Sequence, residues 1–209
     1  MESETEHNHF LDKLAFGLSA LTSPYVVIPV MSLWVVGEHR ADWREGLLWA
    51  GITVFFTTIV PLLFVWVGIR RGAITDIHVM VREERLGPFI VATISSFVGT
   101  LILHRIGAPM EIVVLGAVVV ANGLVFAIMS CFTKVSIHMA VVTVGIYISG
   151  VLSDPAWYAL IATLPFVLWG RVYRKRHSIR EGIIAVLIAC LITAVVLILF
   201  GFNPTGLRR

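Results

Sequence analysis

Long apolar stretches separated by short polar segments dominate this chain. Seven such stretches occupy residues 11–36, 46–69, 88–103, 110–132, 136–152, 156–170 and 182–202. Several are long enough to cross roughly 30 Å of hydrocarbon as helices. The pattern predicts an all-α fold, a polytopic bundle of six to seven transmembrane helices. The number stays open because Pro24 and Pro29 indicate either a kink or an interfacial stretch in the first apolar segment.

Polar residues divide the chain into three parts. Residues 1–10 form a polar tail, 11–202 a single membrane domain, and 203–209 a short basic tail. The first tail is acidic, unlike the basic start of a cleavable signal, so we expect the first helix to be retained. At Ser153-Asp154-Pro155, a capping aspartate precedes a proline suited to a first helical position, which predicts a hairpin there.

Composition excludes several classes of protein. The chain is 58% hydrophobic and 14% charged, with a formal net charge of +3. Its basic residues lie at the ends of apolar segments, so nucleic-acid binding is not expected. Cys131 and Cys190 lie in apolar stretches without CxxC spacing, which favours neither a disulfide framework nor a zinc site. No cluster with hard-metal spacing stands out, so no metal or cofactor is expected. The oligomeric state stays open.

The polar segments at 70–87, 133–136 and 171–181 open on the same membrane face, because successive spanning helices alternate in direction. Most of the 16 lysines and arginines lie on this face. The positive-inside rule would place it in the cytoplasm, in a multi-pass protein of the cell membrane. That argument weakens if some of these cations are present for chemistry, and the candidates are Arg82, Arg85, Lys134 and Arg171.

The segment RVYRKRHSIRE at 171–181 carries the first candidate chemistry. If a helix begins near His177, then His177 and Glu181 share a face, and the carboxylate can fix the imidazole tautomer. Nε2 would then be an oriented nucleophile. Arg171 has a planar fork that suits a phosphate. The alternative is an orientation signal or an anchor for lipid headgroups.

The segment KVSIH at 134–138 contains the second group of candidate functional residues. His138 falls in the first turn of a predicted helix, two residues after Ser136, where unpaired backbone N–H groups favour an anion. The alternative is a buried histidine bonded to a backbone carbonyl. Lys134 is a candidate phosphate ligand, or it extends its ammonium group to the interface.

Together these segments resemble the motifs of the type 2 phosphatidic acid phosphatase superfamily, a family of membrane lipid phosphatases. Gly170-Arg171-x5-His177-x3-Glu181 is similar to its third motif, Ser-Arg-x5-His-x3-Asp, and Val135-Ser136-Ile137-His138 to its second, Pro-Ser-Gly-His. The first motif, Lys-x6-Arg-Pro, matches least well. Aligned on Arg85, it has His78 in place of the lysine and Pro88 two residues late, and Arg82 is a competing ligand.

The resemblance implies a metal-independent hydrolysis of a lipid phosphate. His177 would attack the phosphorus to form a phosphohistidine while Glu181 orients it, and His138 would protonate the departing alcohol. Arg171, Ser136 and either Arg85 or Arg82 would hold the phosphoryl oxygens. The expected substrate is a polyprenyl phosphate or diphosphate, or a glycerolipid phosphate. The alternatives are an inactive lipid-binding or scaffold protein of the same fold and a small transporter. The lead hypothesis requires the three motif segments to converge in space.

Overall fold

The computed structural model describes residues 9–40, 42–77, 79, 84–203 and 205, and this part of the chain contains helices and no strands. The α-helices are α1 (His9–Leu21), α2 (Pro24–His39), α3 (Trp43–Val54), α4 (Val60–Arg70), α5 (Leu86–Arg105), α6 (Met110–Phe132), α7 (Ile137–Leu152), α8 (Leu164–Tyr173) and α9 (Ile179–Leu199). A π-helical turn, Phe55–Ile59, joins α3 to α4, and a 3₁₀-helix, Pro155–Thr163, precedes α8. The all-α prediction is confirmed for the described residues.

Within the described residues, four helices are long and apolar enough to cross a membrane: Trp43–Arg70, α5, α6 and α9. The bent pair α1 and α2 brings the number to five if it counts as one span. The predicted six to seven spans are not confirmed. The difference has a physical cause, since α7 has only 16 residues and the predicted span at 156–170 divides into the 3₁₀-helix and the short α8, whereas a single crossing takes about 20 residues.

Breaks in the helices follow the capping residues. The first apolar segment bends by 48° between α1 and α2, where Ser23 is the N-cap and Pro24 begins α2, so a kink at Pro24 is confirmed. At the predicted hairpin, an Asp154 carboxylate oxygen accepts a 2.7 Å hydrogen bond from the Ala156 N–H. The aspartate therefore caps the 3₁₀-helix that begins at Pro155, in agreement with the predicted capping role of Asp154.

The π-helical turn compensates for a proline within the long helix Trp43–Arg70. Pro61 has no N–H, so a carbonyl one turn earlier loses its usual donor. The Ser95 hydroxyl of α5 donates a 2.7 Å hydrogen bond to the Phe56 carbonyl. A neighbouring helix therefore satisfies part of the opened backbone, as a proline inside a membrane helix requires.

The core forms around α7, which packs against α2 and α9, while α6 packs against α5 and α9. Most α7 side chains are buried, so this short helix is enclosed by its neighbours. The surrounding helices instead expose large apolar side chains, among them Ile94 and Phe97 on α5 and Leu187 and Leu191 on α9. An apolar outer surface of this kind is typical of helices that face lipid.

The close approach of α5 and α6 depends on Gly116. A methyl group there would overlap the Thr100 side chain, approaching its Cγ2 to 3.1 Å, and the Thr100 hydroxyl is already bonded to the Ser96 carbonyl at 2.8 Å. We predict that Gly116→Ala destabilises the protein by about 1–3 kcal/mol through overpacking. A lower thermal midpoint in detergent would show this.

The matched control is Gly51→Ala in α3, where a Cβ would have no neighbour within 4 Å. Alanine favours a helix over glycine by up to about 1 kcal/mol, so this variant should be neutral or slightly stabilised. Equal thermal midpoints for the two variants would contradict the proposed packing of α5 on α6.

Candidate functional site

Arg171 and His177 are joined by a turn at the end of α8. Lys175 has a left-handed φ of 53°, which reverses the chain after the helix. The Arg176 and His177 N–H groups then donate to the Arg171 carbonyl at 3.0 and 3.3 Å. The six-residue spacing between Arg171 and His177 therefore corresponds to the turn that ends a helix. The hydrogen bonds of this turn fix the two residues relative to each other.

His177 lies two residues before the first residue of α9, so a helix begins near it, as the pairing with Glu181 requires. Ser178 is the N-cap, and α9 starts at Ile179. The Ser178 hydroxyl accepts from the Glu181 N–H at 3.2 Å, and a Glu181 carboxylate oxygen accepts from the Ser178 N–H at 3.3 Å. This capping box, rather than a shared helix face, orients Glu181.

The predicted pairing of His177 with Glu181 is present nevertheless. His177 Nδ1 lies 2.8 Å from the same carboxylate oxygen. A carboxylate only accepts hydrogen bonds, so Nδ1 carries the proton, and in the neutral ring Nε2 holds the lone pair. The ring is oriented by a group that already belongs to the helix cap.

Burial lowers the pKa of His177 to about 4. The hydrogen bond that His177 donates to Glu181 opposes this shift, and the positive charges of Arg171 and Arg85 add to it. The imidazole is therefore neutral at pH 7, the protonation state that a nucleophile requires.

Arg171 is a buried cation, only 5% exposed. Its Nη1 donates to the Ser19 hydroxyl of α1 at 3.2 Å, while Nε has no hydrogen-bond partner in the described part of the chain. No carboxylate among the described residues lies within ion-pairing distance of it. A buried charge without a counter-ion is costly, so this arrangement is typical of a site that receives an anion.

The second motif segment begins α7 as predicted. His138 is the second residue of the helix and only 4% exposed, and Ser136, the N-cap, is fully buried. The Ser136 hydroxyl makes no hydrogen bond within the described residues. Lys134 is exposed and lies outside the cavity described below.

In the first motif segment, the structure describes Arg85 but not Arg82 or His78, which lie outside the described residues. Arg85 directly precedes α5, and its Nε donates to the Val79 carbonyl at 2.9 Å. Pro88 lies in the first turn of α5, where its missing N–H costs nothing.

One cavity of about 190 Å³ brings the three segments together. Arg85, His138, Arg171 and His177 all line it, and Val135 and Ile137, on either side of Ser136, do so as well. The convergence expected from helix direction is therefore present in the fold. Beyond the charged end the lining is mostly apolar and follows α7 as far as Val144, about 10 Å along the helix axis from Ile137.

Two polar residues at the site lie outside the motif segments. Ser19, 152 residues from Arg171, sits in an apolar segment that carries no motif. Asn122 lines the cavity in the middle of α6, where its amide group donates to the Thr193 hydroxyl at 3.3 Å. A polar residue within an apolar helix was the only signal for Asn122, and Ser19 gave none.

Comparison with known proteins adds no relative. No protein-family model matches the chain, and neither the curated proteins nor the solved structures include a significant match.

The electrostatics of His177 can be tested directly. We predict that its ring stays neutral, with the proton on Nδ1, from pH 7 down to about pH 5, because its pKa is lowered to about 4. Glu181→Gln should lower this pKa further, since the carboxylate raises it, and Arg171→Gln should raise it. Nitrogen-15 NMR of histidine-labelled protein in micelles measures the pKa of His177 in the wild type and in both variants. The His177→Gln variant assigns the signal. Protonation of the wild-type ring near pH 6.5 would contradict the geometry.

Proposed function

We propose that this protein is a membrane lipid-phosphate phosphatase that works through a phosphohistidine. The observation that carries the proposal is one cavity lined by two residues: Arg171, a buried arginine with no carboxylate partner among the described residues, and His177, a neutral histidine oriented by a carboxylate. The motif resemblance supports the assignment to the type 2 phosphatidic acid phosphatase superfamily. The role of His177 follows from its neutral, oriented ring.

His177 Nε2 acts as the nucleophile. It attacks phosphorus while the bond between phosphorus and the lipid oxygen breaks, which gives a phosphohistidine and, with a proton from His138, the lipid alcohol. The Nδ1 proton stays hydrogen-bonded to Glu181, 2.8 Å away, which stabilises the positive charge that develops on the ring. Water then attacks the phosphohistidine, releases inorganic phosphate and regenerates the imidazole.

His138 acts as general acid for the departing alcohol. It faces the same cavity as His177 from the start of α7, and an alkoxide is a poor leaving group that needs a proton in the transition state. In the second step His138 accepts a proton from the attacking water. The two histidines therefore divide the work between nucleophile and acid–base group.

Arg171 and Arg85 stabilise the phosphoryl oxygens. The charge of a phosphoryl transition state is spread over its equatorial oxygens, and preorganised cations in a dry cavity stabilise it strongly. Ser136, whose buried hydroxyl has no partner among the described residues, adds a neutral donor. Arg82 and Lys134 stay candidate ligands, and the mechanism requires no metal.

The apolar lining favours a lipid over a water-soluble ester. Met31, Val65, Phe89 and Phe126 are among the cavity's walls, and such surfaces bind alkyl or prenyl chains by excluding water. The candidates are a polyprenyl phosphate or diphosphate and a glycerolipid phosphate. The site opens at one end of a bundle of six to seven spans in the cell membrane, and the positive-inside rule puts this end in the cytoplasm.

A second candidate function is lipid-phosphate binding without turnover. One observation favours it: Glu181 is fully accounted for as part of the α9 capping box, so the pair with His177 could serve the helix alone. Turnover distinguishes the two functions.

We predict phosphate release from at least one member of a panel of phosphatidate, phosphatidylglycerol phosphate, polyprenyl phosphate and polyprenyl diphosphate, with equal rates in the presence and absence of EDTA. His177→Ala should abolish release from every ester, because no phosphohistidine can form. His138→Ala should lose on the order of 10²–10⁴-fold with the lipid. It should lose much less with p-nitrophenyl phosphate, whose leaving group needs no acid.

Monodispersity in detergent is the control for folding of each variant. Equal, small losses for both histidine variants with the lipid would refute the assigned roles and favour binding without turnover. Activity lost in EDTA and restored by magnesium would refute the metal-independent mechanism.

A further inference from the structure

Helix α1 belongs to none of the motif segments, yet it packs against the helix that carries Arg171. The 48° bend before α2 turns α1 away from the axis of α2, and α1 packs mainly against α8. Its buried positions are Ala15 and Ser19, which are 0% and 3% exposed. They are four residues apart and so lie on one face of the helix.

This face meets α8 beside Arg171. A Cβ built on Gly170 would lie 3.7 Å from the Ala15 carbonyl oxygen, so the position that precedes Arg171 points towards α1. One turn further along α1, the Ser19 hydroxyl accepts the 3.2 Å hydrogen bond from Arg171 Nη1. The contact is buried on both sides, and it joins the first helix to the phosphate site.

The chemistry of the contact is informative. A guanidinium has five N–H donors in a fixed plane, and a bond to one of them restrains the orientation of the plane. A carboxylate in the place of Ser19 would restrain it too, but would also neutralise the charge. A hydroxyl restrains the group and leaves its full charge available to an anion.

We propose that Ser19 is a positioning residue of the anion site, whose hydroxyl holds the Arg171 guanidinium so that its other N–H groups meet an oxyanion in the cavity. The proposal rests on the proposed function for the identity of that anion, a phosphoryl group. Helix α1 is then part of the site, and the site is incomplete without it.

A purely structural role for Ser19 predicts a different ranking of variants. If Ser19 only fills space, Ser19→Ala, which removes one buried oxygen, should bind an anion as well as the wild type. If Ser19 holds Arg171, Ser19→Ala should weaken binding, Ser19→Thr should preserve it because the hydroxyl is kept, and Ser19→Asp should abolish it because the carboxylate pairs with Arg171.

The experiment uses the purified full-length protein in detergent, with inorganic phosphate as the probe and calorimetry as the readout. We expect Ser19→Ala to weaken phosphate binding about tenfold, the scale of a hydrogen bond to a charged group, and Ser19→Thr to remain within about threefold of the wild type. With a lipid substrate, Ser19→Ala should raise KM by a similar factor and change kcat less.

Ser32→Ala is the matched control. Ser32 is a fully buried serine of α2 that does not line the cavity, and its hydroxyl has no partner among the described residues. The same substitution there should leave phosphate binding unchanged. Equal affinities for Ser19→Ala and Ser32→Ala would overturn the proposal while leaving the phosphatase intact.

The remaining outcomes also decide the question. If Ser19→Ala does not purify as a monodisperse protein, Ser19→Asp replaces it, and phosphate binding retained by this variant would overturn the proposal. Wild-type protein that binds no phosphate would overturn both the positioning role and the proposed function. Phosphate binding that depends on Ser19, without turnover of any lipid, would support the positioning role and refute the phosphatase.

Discussion

The burial of one positive charge organises the functional end of this protein. Arg171 is almost completely enclosed, and the described residues offer it no carboxylate. Removing such a charge from water costs several kcal/mol unless a partner compensates. Among the described residues, the guanidinium contacts a neutral hydroxyl of α1 and lines the polar end of a cavity. The buried charge therefore destabilises the fold unless an anion compensates it, which is the observation behind the proposed phosphate site.

The same short turn that ends α8 also positions His177, the proposed nucleophile. A left-handed residue, Lys175, brings the His177 N–H back to the Arg171 carbonyl, and the cap of α9 then places Glu181 against the imidazole. The end of α8, the start of α9 and the orientation of the His177 ring therefore depend on one connected set of hydrogen bonds. Loss of the turn that ends α8, or of the Ser178 cap of α9, would therefore change the orientation of His177 while leaving its side chain in place.

Sequence analysis predicted the features that depend on hydrophobic periodicity and on the spacing of nearby residues. Helical class, the kink at Pro24, the cap at Asp154 and the contact between His177 and Glu181 all arise from residues close in the chain. The convergence of Arg85, His138, Arg171 and His177 on one cavity was expected from the shared membrane face and the order of the motif segments. What could not be predicted depends on tertiary packing: α7 is enclosed by its neighbours, and Ser19 meets Arg171 only because α1 packs against α8. The register of the first motif stays undecided, since Arg82 and His78 lie outside the described residues.

Exchange of oxygen-18 between labelled inorganic phosphate and water tests the central claim most directly, because it requires no knowledge of the lipid. If His177 accepts a phosphoryl group, inorganic phosphate can phosphorylate Nε2 with loss of one oxygen as water. Hydrolysis then returns the phosphate with an oxygen from the solvent. The account predicts that the wild-type protein exchanges the label in the presence of EDTA and that His177→Ala does not. Exchange at equal rates in both proteins, or in neither, would contradict it.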